Sequence, residues 1–176
     1  MLPELSALLD KQAITEVIYR YCRAVDRLDE SLLIDCFHPD SVHEQGGFAG
    51  PSAQFCIYAL ARLRTCESTQ HHVGNILIEL DGDQAHSEAY WVAYHRIAPG
   101  NDTTGLFAAR EVAQDLFVGG RYIDRFERRN GYWRIVARHG VYDWQRYETA
   151  AEGDFKSLPA ARRGTRGPTD RAYWRG

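Results

Sequence analysis

Two residue types that together can move a proton stand where the sequence pattern turns them toward one interior: Asp26 and His72. Ile14, Ile18 and Cys22 lie four residues apart along one ridge of an apolar helical face, and Asp26 is the next position on that ridge. A carboxylate near a helix C-terminus opposes the helix dipole, and that small cost hints at a partner elsewhere. As a surface residue, or a cap for Asp29-Glu30-Ser31, it would need none. Strict strand alternation puts His72, Gly74, Ile76, Ile78 and Leu80 on one face and His71, Val73, Asn75, Leu77 and Glu79 on the other. The first face is apolar or small apart from His72, so His72 is read as pointing inward and His71 outward. A lone inward histidine is more often a satisfied core residue than a catalyst. Beside a buried carboxylate it becomes a base, because the carboxylate holds one ring N–H, fixes the tautomer and raises the basicity of the other nitrogen.

Other polar groups fall near the same interior. An Asn130-Gly131 turn pairs Phe126 with Ile135 and Glu127 with Arg134, the latter an opposite-charge pair on the solvent face. The opposite face carries Tyr122, Asp124, Phe126, Trp133, Ile135 and Ala137, so Asp124 is a polar group among aromatics, read as a structural hydrogen-bond partner. The same alternation puts Arg138 with Arg134 on the polar face unless a bulge intervenes. His95 shares a face with Ala89, Trp91 and Ala93. There is no Gly-rich phosphate loop and no GxSxG elbow, and the seven histidines show no zinc-like spacing with cysteine. A metal site of two histidines and one carboxylate would need His72, His95 and Asp26 to converge. No cofactor is expected.

The elements that must position these groups read as helices first and strands after. Ile14, Val17, Ile18, Tyr21, Cys22 and Val25 mark a first helix, Leu32, Leu33, Cys36 and Phe37 a short second one, and Phe55, Cys56, Ala59, Leu60 and Leu63 a third. Strands are predicted over 41–44, 70–80, 84–97, 120–129 and 132–143, with residues 99–115 left open between strand, helix and insertion. Such an order argues α+β, with three helices on one strongly curved antiparallel sheet enclosing a pocket.

Bulk properties bound the function. The 176 residues make one domain, the net charge of −3 is too weak to imply nucleic acid or a membrane surface, and 12% aromatic content fits a core or an apolar cavity. No secretion signal or run of about 18–20 apolar residues is visible, and four cysteines without a CxxC pair read as buried thiols of a cytoplasmic protein. After Glu148 the composition turns to Gly, Pro, Ala and Arg, so residues 1–148 are read as the domain and 149–176 as a mobile or subunit-docking tail. Val136, Ile123 and Tyr142 among charges on the last hairpin suggest self-association, a trimer favoured over a dimer.

The runs LLDKQAITEVIYRYCRAVDRLD, HHVGNILIELDGDQAHSEAY and GGRYIDRFERRNGYWRIVAR, in this order, resemble the SnoaL-like branch of the NTF2-like superfamily. The resemblance implies a cystatin-like α+β cone with a deep cavity, usually oligomeric. Within that branch the chain is similar to the cofactor-free lyases: scytalone dehydratase, hexachlorocyclohexane dehydrochlorinase and the bile-acid dehydratases. In these a His removes a proton from carbon and an Asp orients it, roles that fall on His72 and Asp26. The resemblance adds Arg138 as a late-strand catalytic Arg and His95 as a second histidine. Tyr21 stands where some dehydrochlorinases have Lys, which favours an oxygenated substrate over a halide. Phe48, Trp91, Asp124 and Tyr142 complete the expected substrate contacts. The expected activity is a dehydratase-type elimination on a small aromatic or alicyclic compound in catabolism. The same family also holds isomerases and cyclases using such a dyad, and non-catalytic dioxygenase small subunits.

Overall fold

The computed structural model describes residues 2–100, 105–108, 110–151 and 157–174. Its first element is a long helix, α1 (Pro3–Arg27), which buries Ile14, Val17, Ile18, Tyr21, Cys22 and Val25 on one face, with Asp26 also buried at its end. It stops at Leu28, whose backbone turns left-handed (φ 56°) while the N–H groups of Leu28 and Asp29 return to the Ala24 carbonyl. Asp29 then caps α2 (Glu30–Asp35), accepting from the Leu32 N–H at 3.0 Å. The capping carboxylate is therefore Asp29, and Asp26 is left for another partner.

Strands β1 (Phe37–Gln45) and β2 (Phe48–Pro51) form a hairpin around Gly46-Gly47, both at positive φ as a tight turn requires. Helix α3 (Ser52–Leu63) follows, then the long strands β3 (Cys66–Asp81), β4 (Gln84–Ile97), β5 (Gln114–Arg129) and β6 (Tyr132–Thr149). The sheet runs β2-β1-β6-β5-β4-β3, curved and unclosed, with the helices on one face. It is the expected α+β cone with one difference: β1 pairs parallel to β6, so the sheet is mixed. β1 occupies the edge of β6 that β5 leaves open, and the pair is joined through α3 and three other long strands rather than by a turn.

Ile14, Ile18, Leu60, Phe126 and Ile135 are fully buried at the centre of the core, each contributing roughly 1.5–3 kcal/mol by leaving water. Of residues 99–115, the segment Gly105–Phe107 is a short 3₁₀ turn and Gln114 opens β5, while 101–104 and 109 lie outside the described residues. Among the described residues no helix is long and apolar enough to cross a membrane.

Among the register shifts of the sheet, three bear on which side chains face inward near the site. Between Val73 and Ile76, β3 spends three residues while β4 spends two, Trp91 to Ala89. On β6, Val136 is extra between Ile135 and Ala137, and Asp143 is extra between Tyr142 and Trp144. Each shifts the inside–outside parity by one residue.

Candidate active site

The bulge in β3 decides which histidine meets Asp26. Before it, Thr69, His71 and Val73 pair with His95, Ala93 and Trp91 of β4 and share their inward face; after it, Ile76, Ile78 and Leu80 do. Alternation counted back from Ile76 across the bulge therefore selects the wrong neighbour. His72 is exposed and faces away from Asp26, which corrects the expected Asp26–His72 pair. It also removes His72 from any metal site with His95 and Asp26.

His71 takes that place. Its ring Nδ1 lies 2.7 Å from Asp26 Oδ1, its backbone N–H donates to Asp26 Oδ2 at 2.8 Å, and the Thr69 hydroxyl donates to Oδ1 at 3.1 Å. The two side chains are 10% and 11% exposed. Burial alone would raise the Asp26 carboxyl pKa, but the hydrogen bonds from the His71 ring and backbone and from Thr69 outweigh it and hold the group below its ordinary value. An ionised carboxylate only accepts, so the shared proton sits on Nδ1. Nε2 is then the ring nitrogen free to accept a proton, and His71 lines a cavity.

That cavity holds about 330 Å³. Phe55, Trp91, Phe107, Tyr122 and Tyr142 give it aromatic walls, with Tyr21 and Val25 of α1 at its base and Gln45, Arg62 and Gln145 as polar wall groups. His95 is buried against His71 (ring centroids 5.3 Å apart) and Phe107 (4.9 Å). Burial first, and the neighbouring His71 second, press its pKa well below the ordinary value, so it is a neutral imidazole. The Nδ1 of His95 and the indole N–H of Trp91 are buried with no hydrogen-bond partner among the described residues. Both residues line the cavity with other atoms of their rings.

Arg138 and Asp124 lie behind the tyrosines. The Val136 bulge turns Arg138 inward, where it makes two hydrogen bonds to Asp124, at 2.7 and 2.6 Å, with both side chains 0% exposed. Strict alternation fails here, and the late-strand Arg implied by the family resemblance does face the interior. Its guanidinium lies against the rings of both Tyr21 and Tyr122, 4.1 and 4.2 Å from their centroids. Neither Arg138 nor Asp124 is among the cavity-lining residues. Phe48 also lies off the cavity, packing behind Phe55 and Tyr58. Tyr21, Trp91, His95 and Tyr142 line it as expected. Missed by sequence reasoning were His71, Thr69 and Gln45. A Thr two residues before a His on one strand face was the available signal for the first two.

The cysteines are all free and buried, and burial pushes the Cys22 and Cys36 thiols up to about 12, which removes them as nucleophiles. Among the described residues no three His, Cys, Asp or Glu groups are placed to hold a metal ion. The segment expected as a mobile or subunit-docking tail lies, over 157–174, against the end of α1: Arg27 meets Asp170, and the Tyr173 hydroxyl donates to Asp29 at 2.8 Å.

The SnoaL-like domain matches residues 6–139, which include Asp26, His71 and all of the cavity wall but Tyr142 and Gln145. The chain belongs to the SnoaL-like family. No curated protein matches it. Among solved structures, a hexachlorocyclohexane dehydrochlorinase (LinA type 2) is 17% identical, with 85% of this chain and 99% of that one covered at a TM-score of 0.71. A candidate scytalone dehydratase from Novosphingobium aromaticivorans is 19% identical over 82% and 91%, with a TM-score of 0.66. A Nostoc punctiforme protein of unknown function with a cystatin-like fold is 20% identical over 77% and 92%, with a TM-score of 0.58. At these identities the likeness to the solved structures is one of fold. The SnoaL-like cone is thus common ground, and the chemistry has to come from the side chains of this chain.

Proposed function

We propose that this SnoaL-like protein is a cofactor-independent lyase of the dehydratase type, acting on a small, largely apolar ring compound that carries oxygen. One observation carries the reading: a histidine held at Nδ1 by a buried carboxylate lines an aromatic cavity. His71 Nε2 takes a proton from a carbon next to an electron-withdrawing oxygen group. The C–H electrons form the new C=C bond, the C–O bond on the neighbouring carbon breaks, and the proton leaves with the hydroxide as water. Asp26 keeps the tautomer and stabilises the imidazolium formed in between. Burial raises the Tyr21 phenol pKa, which keeps it a neutral O–H able to donate to a substrate oxygen as charge develops. An isomerase or cyclase would use the same proton abstraction without loss of water. An open cavity with a paired base on its wall supports an enzyme over a scaffold subunit, in which side chains would fill the space.

Incubation of the purified protein in deuterated water, chelator present, with a panel of alicyclic and aromatic hydroxy-ketones tests this by NMR. Deuterium exchange or water loss that disappears in His71→Ala and weakens in Asp26→Asn is the expected result. Equal exchange in wild type and His71→Ala would overturn the role of His71. Exchange without elimination would shift the reading to an isomerase.

A further inference from the structure

The two residues of the couple come from different elements, Asp26 from the end of α1 and His71 from β3, and one side chain outside residues 6–139 bonds to both elements. Arg166 Nη1 donates to the carbonyls of Leu63 (2.6 Å), the last residue of α3, and Cys66 (2.9 Å), the first of β3. Its Nε donates to the carbonyl of Asp26 itself at 3.1 Å, and Nη2 reaches the Val25 carbonyl (3.4 Å) and Thr69 Oγ1 (3.2 Å). The ends of two helices leave carbonyls without intrahelical partners and carry partial negative charge, so a guanidinium fork suits the place. Because Thr69 Oγ1 accepts from Arg166, its single proton is directed to Asp26 Oδ1.

We propose that Arg166, delivered by the C-terminal segment, is a positioning residue for the Asp26–His71 couple, fixing the carboxylate through Thr69 and through the backbone on either side of it. The segment is anchored independently: the Gly167 N–H donates to the Arg27 carbonyl at 2.7 Å, Asp170 pairs with Arg27, and Tyr173 bonds Asp29. The charged and titratable groups around the couple are Cys22 from α1, His95 from β4 and Arg166, with Arg23, Arg27, His72 and Asp170 lining the cleft on its outer side. The proposal rests on the catalytic reading of the couple, but its test does not need a substrate.

The full chain with labelled histidine is titrated by NMR as wild type, Arg166→Gln and Tyr173→Phe. Freeing the carboxylate in Arg166→Gln should move the His71 midpoint downward, since a displaced Asp26 no longer stabilises the protonated ring; an upward move is the bare effect of the lost cation and would overturn the positioning role. Tyr173→Phe loosens the segment while keeping the guanidinium and should leave the midpoint in place. An unchanged midpoint in folded Arg166→Gln would overturn the proposal, as would equal shifts in both variants, which would mean that docking of the segment alone matters. If Arg166→Gln does not fold, labelled arginine in the wild type decides: guanidinium resonances of Arg166 that follow the His71 titration support the link, and resonances indifferent to it overturn it. Once a substrate is known, Arg166→Gln should lower kcat about ten-fold with little change in KM, the mark of misplaced rather than lost machinery. Activity unaffected by His71→Ala would sink the catalytic reading but leave the titration result intact.

Discussion

Asp26 and His71 are joined twice, ring Nδ1 to Oδ1 at 2.7 Å and backbone N–H to Oδ2 at 2.8 Å, so the carboxylate fixes both the tautomer of the imidazole and the strand that carries it. His72, one residue on, has none of this. Once a turned-over compound is identified, His71→Ala should lower kcat/KM by about 10²- to 10⁴-fold, the usual contribution of a positioned base. His72→Ala should leave it unchanged. Steady-state kinetics of the two variants make the comparison, and the reverse order of effects would reject the assignment.

The Arg138–Asp124 pair is fully buried, and removing one partner strands the other's charge. Arg138→Met should therefore cost about 3–5 kcal/mol of stability. The double variant Arg138→Met with Asp124→Leu should recover most of that, since no charge is left to desolvate. Urea denaturation of the single and double variants measures both. A loss below about 1 kcal/mol in the single variant would mean that water reaches Asp124.

Acid should weaken the fold before the carboxylates protonate. His43 is stacked flat on Phe55, and burial followed by the nearby Arg138 pushes its pKa down to about 3; His95 is also held well below its ordinary value. A base whose folded pKa is depressed stays neutral in the fold while the unfolded chain, at about 6.5, takes up a proton. Stability is thus complete above about pH 6.5 and falls as the pH drops toward about 3. His43→Leu should flatten that fall, as read from urea midpoints between about pH 7 and about pH 4. An equally steep fall in the variant would assign the effect elsewhere.

The outer face of the sheet exposes Tyr90, Val92, Ile123 and Trp144. Of the residues expected there, Val136 is buried as the bulge residue and Tyr142 turns into the cavity against Trp91, leaving Ile123. Apolar groups so placed suit a second copy of the chain. Light scattering should give a mass that is a multiple of 20.1 kDa, three-fold favoured, and Val92→Lys with Trp144→Glu should reduce it to the monomer. A wild-type monomer at micromolar concentration would rule this out.

Asp26 was legible because α1 is uninterrupted: with no insertion in the helix, positions 14, 18, 22 and 26 stay on one ridge and the carboxylate falls at the core's edge. The same regularity located the three helices, the long hairpins and the inward Trp91 and His95. The sequence by itself also determined the family, the aromatic character of the interior and the absence of a strong charge bias.

The tertiary structure decided the partner of Asp26. Facing along a strand has a period of two, so one extra residue reverses every side chain beyond it. A glycine inside a strand, here Gly74, is a signal for a bulge, but whether β4 matches it one for one or skips a place is a property of two strands in register. The Val136 bulge brought Arg138 inward for the same reason. Arg166 was beyond reach of sequence reasoning altogether: its hydrogen bonds to residues 25–26, 63, 66 and 69 span about a hundred residues or more, and only a folded chain brings a C-terminal guanidinium to the converging ends of two helices and a strand.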